Sequence, residues 1–272
     1  MNILYGKPVA EDIRQRILSY TKTHAVTVAT LGLEGDAQWA QYTASLAKSA
    51  DGYCCKVVGT LLPSDVDAET FANAIKTFNE DDGVDGVLIQ QPLKAYLSDT
   101  VDLLSPAKDI DGLTSQSVKA LYSGKETFVP ATALAVIRLL EYYGYNLACD
   151  ITVVGRGMAV GRPLALMLIN RNATVTVCHT RTRDVASHCK KADIVVSACG
   201  VSGLINAQHV DKHSVVIDVG LSFVNGKTCG DVDFDAVSDI CAALSPVPGG
   251  VGPVTRACLF ENAVKASALK LK

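Results

Sequence analysis

The sequence has no basic run longer than two residues, no apolar stretch approaching the length of a membrane span, and no pair of cysteines at metal-ligand spacing. Each absence removes a class of function. Nucleic-acid binding needs a basic face, and the chain instead carries a net charge of −3. A membrane anchor needs about twenty consecutive apolar residues. No metal site is expected. The nine cysteines are an odd number, and most sit singly in apolar runs where cysteine acts as a small hydrophobe. The opening residues, MNILYGKPVAEDIRQ, lack an apolar signal core. Reduced thiols and a cytoplasmic location are therefore expected. Cys54 and Cys55 are expected next to each other on a strand, facing opposite ways.

What remains is a chain of 272 residues, 49% of them apolar, which allows two domains of ordinary size. It is organised around ITVVGRGMAVGRP, residues 151–163. Four β-prone residues end in Gly155-Arg156-Gly157, and an apolar helical segment (158–171) follows. A strand, glycine turn and helix start of this kind presents free backbone N–H groups and a positive helix end to a phosphate. The third glycine, Gly161, falls one residue later than in the usual dinucleotide fingerprint, and a glycine pair closing a strand is otherwise an ordinary turn. Context decides the matter: a strand at 174–178, a helix at 183–191 and a strand at 193–197 complete a βαβαβ unit with the turn in the expected place.

The end of the second strand selects the dinucleotide. NAD sites usually place a carboxylate there, whereas this strand runs into His179-Thr180-Arg181-Thr182, with no carboxylate before Asp184. Arg156, Thr180 and Arg181 together suit the 2′-phosphate of NADP. The plainer reading of Arg181 and Arg183 is a solvated loop.

Ahead of this unit the pattern again alternates, with a helix at 8–24, a strand at 25–31, a helix at 36–50, a strand at 54–62, a helix at 67–78 and a strand at 86–91. A second parallel sheet is expected. Its last strand ends in Gln90-Gln91-Pro92, an amide pair at the carboxyl end of a strand, where open α/β sheets bind ligands. Asp109 and Asp111 follow beside Gly112, a spacing that is most often only a turn. A helix at 131–143 connects the halves, a further strand covers 214–220, and the run SPVPGGVGPVT (245–255) leads into a closing helix where the chain crosses back.

Seven strings, VDGVLIQQPL, PAKDIDGL, VVGRGMAVGRPLALML, NATVTVCHTRT, VVIDVGL, GDVDF and SPVPGGVGPVT, occur in this order over nearly the whole chain. Together they resemble the methylenetetrahydrofolate dehydrogenase/cyclohydrolase family. The resemblance implies two α/β domains around a cleft, 1–125 plus 254–272 for folate and 126–253 as a Rossmann-like NADP domain, with a homodimer formed through the second. It implies that Asp111 binds the pterin ring, that Gln90 lies beside the one-carbon bridge, and that Ile89, Gln91, Pro248, Gly249 and Gly252 contact the folate. Gly155, Arg156, Gly157, Thr180, Arg181 and Leu221 fall at cofactor positions.

Two departures stand out. The family usually has serine where this chain has Gly157, and bifunctional members carry Tyr-x-x-x-Lys on the helix 36–50. Tyr42, the candidate catalytic tyrosine, is followed four residues on by Leu46, and an ungapped register from Gly32 to Gly52 puts Ala40 and Ala44 at the two positions. Lys48 and Lys56 match neither. Hydride loss from the methylene bridge needs no base, whereas hydrolysis of the resulting cation moves protons. A working dehydrogenase with weak or absent cyclohydrolase activity is expected. The alternatives are a fully bifunctional enzyme using another residue, a shikimate-type dehydrogenase, and a folate- or nucleotide-binding protein without turnover.

Overall fold

The computed structural model describes residues 1–224 and 226–271. In chain order the first half comprises β1 (Asn2–Ile3), α1 (Gly6–Thr21), β2 (Thr27–Leu33), α2 (Ala37–Ala50), β3 (Lys56–Leu62), α3 (Ala68–Glu80), β4 (Gly86–Ile89) and α4 (Ser115–Tyr122). Then come α5 (Ala131–Tyr142), β5 (Asp150–Val154), α6 (Gly161–Ile169), β6 (Thr174–Cys178), α7 (Val185–Lys191), β7 (Ile194–Ser197) and β8 (Val215–Asp218). A hairpin of β9 (Ser222–Val224) and β10 (Lys227–Cys229), then α8 (Phe234–Ser238), β11 (Ala243–Leu244) and α9 (Val251–Lys270) close the chain. Two compact units result. One is Asp12–Ala131 with the chain from Arg256 onward, the other Met1–Glu11 with Thr132–Thr255.

The first unit is built on a three-stranded sheet in the order β3-β2-β4, with both pairings parallel. Its central strand is buried along almost its whole length, as a parallel strand covered on both faces must be. α3 closes one side: Phe71, Ala72 and Ile75 recur at helical spacing and are buried with Leu31, Ile89 and Leu97. Asp67 starts this helix, its carboxylate accepting from the Thr70 N–H at 2.7 Å. β4 is sealed by the loop that follows it. A Cβ on Gly86 would lie 2.3 Å from Ile110 Cγ2, and the Val87 N–H donates to the Lys108 carbonyl. On α9, the buried Asn262 donates to the carbonyls of Ile110 and Val129. The loop carrying Asp109 and Asp111 is thus held from two sides.

The second unit has a six-stranded sheet in the order β1-β11-β8-β7-β5-β6, parallel throughout. After β5 the chain pairs β6 on one side and then β7 on the other. The carboxyl end of β5 is therefore the topological switch point where α/β sheets take ligands. β7 and β8 are buried at every position.

The first eleven residues group with this second unit, whereas the resemblance implies a first domain that begins at residue 1. The cause is β1, whose two residues pair with Ala243 and Leu244. A two-residue strand has no periodicity to read. Cys54 and Cys55 also differ from expectation: β3 starts only at Lys56, and Cys54 has φ +52° at the end of a short 3₁₀ turn. Cys54 is exposed and Cys55 buried because of that turn, not because of strand alternation. Burial pushes the Cys55 and Cys189 thiols up to about 12. No group of His, Cys, Asp or Glu suited to a metal occurs among the described residues, and none of their helices is long and apolar enough to cross a membrane.

Candidate functional site

A pocket of about 290 Å³ opens at the carboxyl end of the first unit's sheet. β4 and the residues after it supply Leu88, Ile89, Gln91 and Pro92, and Asp111 enters from the following loop. The remaining wall is the first turn and a half of α2, with Asp36, Gln38, Trp39 and Tyr42. Four of the expected residues, Tyr42, Ile89, Gln91 and Asp111, therefore share one pocket.

The two aspartates of the loop do different work. Asp109 is fully buried, and its oxygens accept from the N–H groups of Leu113 and Thr114 and from the hydroxyls of Thr114 and Ser117. Its hydrogen-bonding capacity is used up holding the turn. Asp111 accepts one backbone bond, from Ala131 N at 3.0 Å at the start of α5, and keeps acceptor capacity for a ligand. Burial pushes its carboxyl up to about 6; the Ala131 N–H opposes this and the charge of Asp109 adds to it. Burial likewise raises the Tyr42 hydroxyl, with Asp111 raising it further and Arg256 pulling the other way. Tyr42 is thus a neutral hydroxyl at neutral pH, able to donate.

Gln90 lies beneath the pocket rather than on its surface. It is 4% exposed, its Oε1 accepts from Leu33 N at 2.6 Å, and its Nε2 donates to Asp36 Oδ2 at 2.7 Å. Asp36 Oδ1 in turn accepts from Trp39 N at 2.9 Å, the N-cap bond of α2. A relay runs from the end of β2 through Gln90 to Asp36 and so sets the start of the helix. Trp39 then lies over Gly32, where a Cβ would come within 1.9 Å of the indole Nε1. Its ring packs against Tyr42 with centroids 5.9 Å apart.

Asp36, Gln38 and Trp39 were not anticipated from sequence. The signal available was the spacing of Asp36, Trp39 and Tyr42 at three-residue steps, one face of a capped helix. Ala40, Ala44 and Lys48 are exposed and Leu46 is fully buried, so none of them lines the pocket. No lysine or arginine lines it among the described residues.

In the second unit the glycine turn after β5 is fixed by sterics. Gly155 has φ +121°, and a Cβ there would sit 2.3 Å from Ala198 O, just past β7. On Gly161 a Cβ would sit 2.2 Å from Gly155 O, whereas Gly157 faces open space. α6 starts at Gly161 with no side-chain cap; Arg162 N donates to Gly157 O at 3.1 Å and Pro163 has no N–H, so the first turn offers a ligand the Gly161 N–H. A backbone cradle this tight fits a dinucleotide phosphate.

Arg156, Thr180 and Arg181 are exposed on the turns after β5 and β6, and Leu221 is 61% exposed after β8. Asp184, the first carboxylate beyond β6, caps α7 by accepting from Ser187 N. Two buried carboxylates brace the neighbouring loops. Asp231 accepts from Ser197 Oγ and from the N–H groups of Cys199 and Val201, and Asp218 accepts from the N–H groups of Asp231 and Val232. Burial raises Asp218 to about 6.

Pro248, Gly249 and Gly252 also belong to this unit. Gly249 has φ +108°, its carbonyl accepts from Gly6 N at 2.8 Å, and Gly250 N donates to Pro246 O at 2.7 Å. The proline-glycine run is therefore a tight turn tied to the start of α1, with Pro248 and Gly252 exposed where α9 begins.

The family model described as "Tetrahydrofolate dehydrogenase/cyclohydrolase, NAD(P)-binding domain" matches residues 130–271, and the one described as "Tetrahydrofolate dehydrogenase/cyclohydrolase, catalytic domain" matches residues 4–111. "Bifunctional protein FolD" of Hydrogenobaculum sp. is 38% identical over 275 residues, covering 98% of each chain. The bifunctional FolD structure from Campylobacter jejuni superposes with a TM-score of 0.95 at 33% identity, covering 99% of both chains. That of Trypanosoma brucei, complexed with NADP cofactor and inhibitor, gives 0.91 at 30% identity, covering 99% of this chain and 98% of its own. These matches run the length of the molecule and include both the pocket beside β4 and the glycine turn after β5, and so this chain belongs to the tetrahydrofolate dehydrogenase/cyclohydrolase family.

Proposed function

We propose that the protein oxidises 5,10-methylenetetrahydrofolate to the 5,10-methenyl cation with NADP as the hydride acceptor. The observation that carries this reading is Asp111. It is a partly buried carboxylate with free acceptor capacity in a pocket walled by Trp39, Tyr42 and Ile89. Adjacent N–H groups on a pterin ring suit a bidentate acceptor, and apolar walls suit the ring faces. Tyr42 donates its hydroxyl to the bound ring system, Gln91 and Pro92 close the rim, and Gln90 acts as a positioning residue through Asp36. Pro248, Gly249 and Gly252 contact the folate, as the resemblance implies.

For NADP, the Gly155-Arg156-Gly157 turn and the uncapped start of α6 hold the phosphates, Arg156, Thr180 and Arg181 the 2′-phosphate, and Leu221 the nicotinamide end. When bound, NADP supplies the acceptor for two electrons and one hydrogen. Support for the 2′-phosphate comes from the lack of any free carboxylate at the end of β6 and from the NADP complex of the Trypanosoma brucei relative. The exposed Phe223 and Val224 on β9 are consistent with the homodimer through this domain that the resemblance implies.

Hydrolysis of the methenyl product to 10-formyltetrahydrofolate is the second reading. It is favoured by the bifunctional names of the relatives. In this pocket hydrolysis runs without a lysine, on Tyr42 and Asp111 alone, and so is the slower half. The test is a two-channel assay on purified protein. NADPH absorbance should appear with methylenetetrahydrofolate, and loss of methenyl absorbance should be slower than NADPH formation. No NADPH would remove the first reading, and equal rates would establish full bifunctionality.

A further inference from the structure

The charge of the pocket distinguishes it further. Of its lining residues two are carboxylates, Asp36 and Asp111, and none is cationic. Arg256 is the cation whose field reaches Tyr42, and it is the weakest of the three influences there. Asp36 is not an incidental surface charge. Its two oxygens each accept one bond from within the fold, from Trp39 N and from Gln90 Nε2, and Gln90 is committed to that direction because its Oε1 accepts from Leu33 N. A side chain with two acceptors and no donor is what this relay accommodates. An amide at position 36 would set one N–H₂ group against another.

The reaction proposed above changes the charge of the folate. The C–H bond of the bridging methylene breaks, its hydrogen leaves with both electrons to the nicotinamide, and the positive charge passes from the cofactor to the two folate nitrogens. No proton is released. A carboxylate in the lining of the pocket that takes the folate attracts the cationic product more than the neutral substrate, which is differential binding of the kind that lowers a barrier. The same charge opposes the approach of hydroxide and the departure from the cationic state.

Resting on that reading of the reaction, we propose that Asp36 is a specificity-determining residue of the folate pocket. Held by Gln90 and Trp39, it biases the site toward the methenyl cation over neutral folates. It does so from the start of α2.

The test is the ratio of dissociation constants for tetrahydrofolate, which is neutral at the bridge, and 5,10-methenyltetrahydrofolate, measured on the full chain by equilibrium fluorescence titration at low salt. Asp36→Ser and Asp36→Thr both keep a helix-capping side chain and remove the charge without setting a second N–H₂ group against Gln90. Each should lower the preference for the cation by about tenfold, equivalent to about 1.4 kcal/mol, while Asp36→Glu should retain most of it. A shift of threefold or more in both neutral variants, kept in the glutamate variant, supports the proposal. A smaller shift, or equal weakening for both ligands, overturns it and leaves Asp36 as a cap alone. The ratio does not depend on turnover: wild-type protein that binds both folates but forms no NADPH refutes the dehydrogenase reading instead.

Discussion

The pocket beside β4 and the carboxyl end of β8 each contain an aspartate that burial pushes up to about 6, and the two have opposite uses. Asp218 is 3% exposed and its oxygens accept from backbone N–H groups of the next loop. It is spent on shape. Asp111 accepts one such bond and faces open space in the pocket. It is kept for a ligand. The turn after β5 presents backbone, with Asp218 and Asp231 bracing neighbouring loops, whereas the pocket beside β4 presents side chains from α2, β4 and the loop that follows. A main-chain site tolerates little change at its glycines and much elsewhere. A side-chain site can be rewritten residue by residue.

Breaking the backbone side of this comparison should have the largest effect. Gly155→Ala adds a Cβ 2.3 Å from Ala198 O at a φ of +121°, and should cost about 3 kcal/mol of stability and abolish NADP binding. Urea denaturation and NADP titration check both, and an alanine variant of wild-type stability would show that the turn is not sterically fixed.

The side-chain region should respond in activity rather than stability. Asp111→Asn keeps the shape of the residue but removes a charge-assisted acceptor from the pterin, so kcat/KM for methylenetetrahydrofolate should fall about a hundredfold, equivalent to about 2.7 kcal/mol. Thermal stability at neutral pH should not fall, because the substitution removes a charge that burial disfavours.

pH separates the two aspartates more finely. On the proposed role of Asp111 as the ionised acceptor for the pterin, folate affinity should fall as pH drops through about 6, by about tenfold at pH 5 relative to neutral. The sign for stability is opposite. A carboxyl whose folded value lies above its ordinary 3.8 binds its proton more tightly when folded. Each aspartate therefore costs stability above about pH 6, and that cost is relieved as the pH falls toward its unfolded value. Asp111→Asn should remove the pH dependence of folate affinity, and a binding curve unaltered by the substitution would assign it to another group.

The smallest expected effect sits at Gly157, which faces open space. Gly157→Ser should fold normally and tighten NADP binding a few-fold by adding one hydroxyl bond to phosphate, about 1 kcal/mol. Weaker binding would show that the turn cannot accept even an unobstructed side chain.

Much of this was legible in the chain. The alternation of strand and helix follows from hydrophobic periodicity, and the glycine turn is recognisable because only glycine fits a left-handed residue packed against a neighbouring carbonyl. Asp-x-Asp-Gly was visible as a turn, but the residues alone did not separate Asp109, spent on that turn, from Asp111, held for a ligand. β1 and β11 were not visible, because two-residue strands carry no pattern. Gln90 was read as lying beside the reacting carbon, and in the structure its amide is turned into the fold toward Asp36 and Leu33.

The sequence by itself determined the two sets of βα units, the position of the phosphate-binding turn and the family resemblance, all of which rest on local geometry and on order along the chain. Tertiary structure decided which face of α2 meets the pocket, because helix rotation is set by long-range contacts: the Gln90–Asp36 bond and the seat of Trp39 on Gly32. It also decided which aspartate stays free, since the hydrogen bonds that occupy a carboxylate come from residues the sequence keeps apart.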